Sequence, residues 1–176
     1  MTVTKRKIVV AIFVALSVFV MSRAAKAEII DRVLAVVAGQ LITLSDVTAA
    51  RDLGLQTAEG AADPVREILS KLIDRELIVA EVDRYAPPEP SSEAIDRETV
   101  RIRMRFPTAE AFVATLERSG TDEKQLREIV RQDLRIRAYL DQRFASAQER
   151  RQALMDDWLS GLRRRGDVVD LYLSAR

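Results

Sequence analysis

Ile29-Ile30-Asp31-Arg32-Val33-Leu34-Ala35-Val36-Val37, then Ala38-Gly39-Gln40, then Leu41-Ile42-Thr43-Leu44, is a stretch of β-branched and apolar residues with no helical period. Two β-rich runs around a Gly-containing turn read as a β-hairpin. Near the other end, Asp167-Val168-Val169-Asp170-Leu171-Tyr172-Leu173 has the same character and no β neighbour in sequence. A lone strand leaves its backbone groups unpaired, so this one is predicted to return to the hairpin and close the domain. The chain between them is helical in pattern. The fold class is therefore mainly α with a small β element: an N-terminal β-hairpin, a helical bundle-like body, and a C-terminal helix and strand returning to the hairpin.

The helices are read from their caps and apolar periods. Ser45-Asp46 suits an N-cap for a short helix over 47–55, and 54–62 is small and polar enough for a loop. Asp63-Pro64 is a strong start, since Asp caps free amides and Pro at the first helical position sacrifices no bond. Ile68, Leu69, Leu72, Ile73, Leu77 and Ala80 follow at helical spacing, with Asp74, Arg75, Glu81 and Arg84 between them predicted to face water. Pro87-Pro88-Glu89-Pro90 cannot continue that helix. Ser91-Ser92 restarts one to about residue 105, and Thr108 caps another over 109–118. Gly120 ends it, Thr121 caps again, and a long helix over 122–144 carries Leu126, Ile129, Val130, Leu134, Ala138 and Leu140. After a break at 145–149, Leu154, Met155, Trp158, Leu159 and Leu162 mark a last helix. Arg163-Arg164-Arg165 sit in its final turn and Gly166 stops it.

Composition narrows the chemistry. The chain has no His and no Cys. That excludes a thiol nucleophile, a disulfide, a Cys/His zinc site and a Ser-His-Asp triad. No Gly-rich phosphate loop is present, so neither ATP nor any other cofactor is expected. Residues 1–27 hold Lys5, Arg6, Lys7, Arg23 and Lys26 and no acid; with +1 overall, the rest is net −4. An acidic body argues against nucleic-acid binding, which depends on neutralising phosphates. The basic start, the apolar run over 8–21 and Ala25-Lys26-Ala27 read as a secretory signal peptide cleaved after Ala27. The run is short of the ~20 residues that cross a bilayer. No stable membrane span is expected after cleavage, and a domain over 28–176 then remains.

Asp31-Arg32-Val33-Leu34-Ala35-Val36-Val37, Gly39 and Ile42-Thr43-Leu44-Ser45-Asp46-Val47 resemble the start of SurA-type periplasmic chaperones. Leu69-Ser70-Lys71-Leu72-Ile73-Asp74-Arg75-Glu76-Leu77-Ile78 resembles their L-x-x-L-I-x-x-x-L-I helix. The capped helices around Ser119-Gly120-Thr121 and the closing helix and strand are similar to later parts of that family. The chain departs from it where a parvulin prolyl isomerase domain normally lies. Here residues 145–149 form the junction, too short for a domain of ~50 residues or more, and the His and Cys that parvulin sites use are missing. The resemblance implies a periplasmic, ATP-independent chaperone core without the isomerase. Its partners would be unfolded outer-membrane or secreted polypeptides, beside a separate prolyl isomerase or outer-membrane assembly machinery. The competing expectations are an envelope assembly scaffold with one fixed partner and, as a third reading, a family member that keeps peptidyl-prolyl cis-trans isomerase activity.

A chaperone needs exposed apolar surface for extended clients. Met104, Phe106, Phe112 and Leu116 are the candidate substrate-binding residues, because Met and Phe repack around varied sequences. Arg97, Arg101, Arg103 and Arg105 are candidates for a rim beside them. The same four apolar residues serve equally as core, and exposure separates the two readings. Asp156-Asp157 and Asp122-Glu123 are adjacent pairs that point apart, unsuited to joint acid/base work. Trp158, among leucines, reads as a core anchor.

Overall fold

The computed structural model describes residues 31–172. The signal peptide and its cleavage site, and Leu173 of the terminal strand, lie outside the described residues. The described chain runs β1 (Val33–Val37), β2 (Gln40–Thr43), α1 (Leu44–Asp52), α2 (Pro64–Tyr85), α3 (Ser92–Arg103), α4 (Ala109–Arg118) and α5 (Glu123–Arg143). A 3-10 turn (Gln148–Arg150), α6 (Arg151–Arg165) and β3 (Val168–Asp170) complete it. The fold is mainly helical with a small antiparallel sheet, as the sequence predicts.

The sheet has the order β2-β1-β3, with β1 in the middle. Val36 faces Leu41 on one side and Val169 on the other. The β1–β2 connection is two residues, Ala38 (φ 49°) and Gly39 (φ 82°). Positive φ at both central positions is the type I′ turn, whose twist suits a tight hairpin. The terminal strand is anchored by Leu171 N–H to the Leu34 carbonyl and Ala38 N–H to the Asp167 carbonyl, both 2.9 Å. Arg66 pairs with Asp170 at 2.5 Å. The Tyr172 hydroxyl donates to Asp63.

Helix starts follow side-chain caps. Asp63 accepts from the Arg66 amide, with Pro64 opening the first turn, and Ser91 and Thr108 cap α3 and α4. Two caps differ from the sequence reading. At α1 the N-cap is Thr43, not Ser45-Asp46. Asp46 is the third helical residue and reaches back to the Thr43 amide at 2.8 Å, a capping box that starts the helix earlier. Ser45 is free to bond Asp31. At α5 the cap is Asp122 with Gln125 closing a second box, rather than Thr121. Gly166 ends α6, and its backbone is extended (φ −73°, ψ 148°) rather than left-handed. A Cβ there would press on the Leu77 side chain and lie 2.9 Å from the Leu162 carbonyl oxygen.

Two apolar cores form. In the first, Leu34, Val37 and Ile42 of the sheet meet Ile68, Leu69, Ile73 and Leu77 of α2 and Leu162 of α6. In the second, Ile102 of α3, Phe112 and Leu116 of α4, and Leu126 and Val130 of α5 pack together. Helix α1 is shared: Val47 and Ala50 enter the first core, and Ala49 with the C-cap residue Leu53 the second. The Pro-rich connector is tied to α5 through Glu89, which pairs with Arg131 at 2.6 Å and lies 3.2 Å from Arg135.

Candidate functional site

The four candidate binding residues do not share one surface. Phe112 is 1% exposed and Leu116 is also buried; both are core residues of α4 and cannot line an open groove. Their positions on the inner face of a capped helix send them against Leu126 and Val130. Phe106 is half-buried at the edge of that core, its ring 5.4 Å from Phe112 at 63°. Met104 alone is open, at 78% exposure. The arginines are equally divided. Arg103 lies over the Phe112 ring at 5.4 Å, Arg105 donates to the Gly54 carbonyl at 2.7 Å, Arg101 pairs with Glu98, and Arg97 is on the open helix face. Trp158 is half-buried in an aromatic cluster, 5.8 Å from Phe144 and 6.1 Å from Tyr139, with the Arg143 guanidinium 5.1 Å above it.

A different surface has the character of a binding site. A cleft of about 260 Å³ opens between β2, α1, α2 and α5. Its apolar walls are Leu41, Leu55, Leu72 and Ile129. Leu41 is 61% exposed at the mouth, although it sits in a strand beside the first core. The polar part is built around Arg75, whose side chain is only 14% exposed. Its Nε donates to Asp133 at 2.9 Å, one terminal nitrogen to Glu76 at 2.7 Å, and the other to Gln132 at 3.0 Å. Arg75 therefore does not face water as its place in the helical pattern suggested; α5 supplies Asp133 and Gln132 to cover it. A second recess of about 350 Å³ adjoins the first, sharing Leu55, Gln56, Arg75 and Asp133 and adding Ile78 and Ile136. The Arg75–Asp133 pair stands where the two meet.

This arrangement offers recognition chemistry. Apolar walls favour burial of apolar side chains, a fixed guanidinium holds the floor, and three carboxylates, Asp46, Glu76 and Asp133, lie along it. Each carboxylate is already engaged, Asp46 by the Thr43 amide and the other two by Arg75. Among the described residues no cluster of carboxylates is arranged to hold a metal ion. No described helix is long and apolar enough to cross a membrane. The sequence pattern held one signal for this site, the apolar Leu41 at the position alternate to the inward Ile42. Arg75 and Asp133 gave none, because their pairing joins residues far apart in the chain. No protein-family model matches the chain and no curated protein matches it, which leaves the chemistry of this cleft as the ground for a function.

Proposed function

We propose that this chain is an ATP-independent, extracytoplasmic chaperone-like domain that holds unfolded outer-membrane or secreted polypeptides. One observation carries the reading: Leu41, an exposed strand leucine, stands at the mouth of an open cleft with apolar walls and a hydrogen-bonded polar floor. Covering a leucine side chain of this kind is worth ~1–2 kcal/mol. A few such contacts offset the entropy of ordering a client and give weak, sequence-tolerant binding. The binding surface proposed from sequence moves accordingly, from α4 to the cleft, with Met104 left as an outlying exposed contact. The signal-peptide pattern of residues 1–27 supports a periplasmic location.

The test is dilution of a denatured outer-membrane β-barrel into buffer with the full chain at roughly stoichiometric amounts. Such clients expose alternating apolar segments. Slower aggregation for several unrelated clients is the expected result, with prolyl isomerisation left at its slow uncatalysed rate. Protection of no client, together with capture of one defined envelope protein, would replace this reading with an assembly scaffold.

A further inference from the structure

The cleft lies along an unpaired sheet edge, and this suggests how a client segment is held. Strand β1 is flanked on both sides, whereas β2 has β1 on one side and no strand on the other among the described residues. Leu41 and Ile42 are successive strand residues, so their side chains point to opposite faces of the sheet. Both line the same cleft, which places the cleft along the edge of β2 and not over one face.

Ladder parity fixes which backbone groups face outward. Leu34 and Ala38, both even-numbered, exchange bonds with the terminal segment, through Leu171 N–H to the Leu34 carbonyl and Ala38 N–H to the Asp167 carbonyl. Val36, between them, also directs its backbone toward β3. Bonded and non-bonded pairs alternate in an antiparallel ladder. Val36 and Leu41 are therefore a non-bonded pair on the β2 side, and the Leu41 N–H and C=O point away from the sheet. The next outward amide, that of Thr43, is already taken by Asp46. Among the described residues, Leu41 thus presents a backbone donor and acceptor with no partner and an exposed apolar side chain at one place.

We infer that an extended polypeptide adds to the β2 edge at Leu41, with alternate apolar side chains against Leu55, Leu72 and Ile129 and a basic side chain beside Glu76 and Asp133. This rests on the chaperone reading and specifies its client. Strand addition gives affinity through backbone bonds and specificity through alternate side chains. The basic residue follows from charge complementarity. Asp46, Glu76 and Asp133 border the cleft against one guanidinium, Arg75, leaving negative charge in excess. The nearby cations of the adjoining recess are engaged elsewhere, Lys71 with Glu67 and Arg137 with Glu98.

The test uses the full chain and the peptide acetyl-Thr-Val-Thr-Lys-Thr-Val-amide, whose two valines and lysine share one strand face, with two relatives. One is N-methylated at alternate amides, and the other has norleucine in place of lysine. Binding is read by calorimetry, and exchange of the Leu41 amide by NMR. The parent peptide should bind saturably and slow exchange at Leu41 about tenfold, with N-methylation weakening binding about tenfold through loss of backbone bonds. Norleucine should bind more weakly than lysine, and Glu76→Gln, verified as folded by its melting curve, should shrink that difference. Equal binding of the methylated peptide would overturn strand addition. So would Leu41 protection that appears without peptide and grows with protein concentration, since a second copy would then occupy the edge. If the chain protects unfolded barrels but binds no peptide at Leu41, this inference fails and the chaperone reading stands. If it binds the peptide but protects no client, the edge site stands and the chaperone reading fails.

Discussion

Replacing Phe112 with Ala tests the division between core and surface that moves the binding site. The Phe112 ring is fully enclosed by the second core, where truncation of a buried Phe costs about 3–5 kcal/mol. Its edge-on contact with Phe106 and the Arg103 guanidinium over its face put the loss toward the upper part of that range, since such ring contacts add ~0.5–1.5 kcal/mol beyond area. A domain of this size holds only ~5–15 kcal/mol in total. The variant should therefore remain folded in the cold but melt about 10 °C lower, taking roughly 2–4 °C per kcal/mol. The assay is urea and thermal unfolding followed by circular dichroism. Met104→Ser serves as the comparator, and an exposed substitution of that kind should change stability by less than ~0.5 kcal/mol. The Phe106→Ala loss should fall between the two. A Phe112→Ala loss below ~1 kcal/mol with an unchanged denaturant slope would refute the core assignment and restore Phe112 as a surface residue. The double replacement of Phe106 and Phe112 by Ser should unfold the domain.

Leu41→Ser should leave the melting temperature nearly unchanged, because the side chain is mostly in water, yet lower protection of a denatured barrel roughly tenfold; a large melting shift would place Leu41 in the core. Gly166→Ala should destabilise by about 1–3 kcal/mol, because its Cβ meets Leu77 and the Leu162 carbonyl rather than because of backbone strain; chemical denaturation reads this, and a gain in stability would show that Leu77 gives way freely. The hydrogen bond from Arg131 holds the Glu128 carboxyl below its ordinary value of 4.5. Its contribution is thus present above that pH and lost as pH falls through the lower folded value. Glu128→Gln should flatten the stability profile below pH 4.5 by less than ~1 kcal/mol, since the pair is exposed, and an effect confined to neutral pH would contradict the sign. Removing residues 167–176 should take away β3 and leave the far side of β1 as an open edge, visible as broader, earlier melting; an unchanged curve would make the terminal strand dispensable.

Much of the fold was legible because local chemistry specifies it. Asp63-Pro64, Ser91 and Thr108 announce helix starts through groups that act within a few residues, and Ala38-Gly39 announces a tight turn in the same way. The return of the terminal strand was legible for a different reason, since an unpaired strand must find a partner. The site was not legible to the same degree. Phe112 and Leu41 are both apolar letters, and only the meeting of α3, α4 and α5 seals the first, while the approach of α1, α2 and α5 to β2 sets the second at the cleft. The position of Arg75 in the helical pattern pointed to solvent, yet a partner 58 residues away on α5 covers it. The two misplaced caps have a simpler cause. Thr43 precedes Ser45 and Asp46, and Asp122 follows Thr121, so adjacent residues competed for one role and the reciprocal bond with Asp46 or Gln125 chose between them.

The central place of β1 sets a sequence of events for the growing chain. Val36 has a neighbour only a few residues ahead, at Leu41, but its other neighbour, Val169, is among the last described residues to be made. Loop closure over such a distance carries an entropic cost that is recovered only when the far contact forms. Until ribosomal synthesis reaches the terminal strand, β1 keeps one side open and the Asp63 carboxylate lacks the Tyr172 hydroxyl. The sheet of this topology closes only once residues 168–170 are available, after all six described helices have been made.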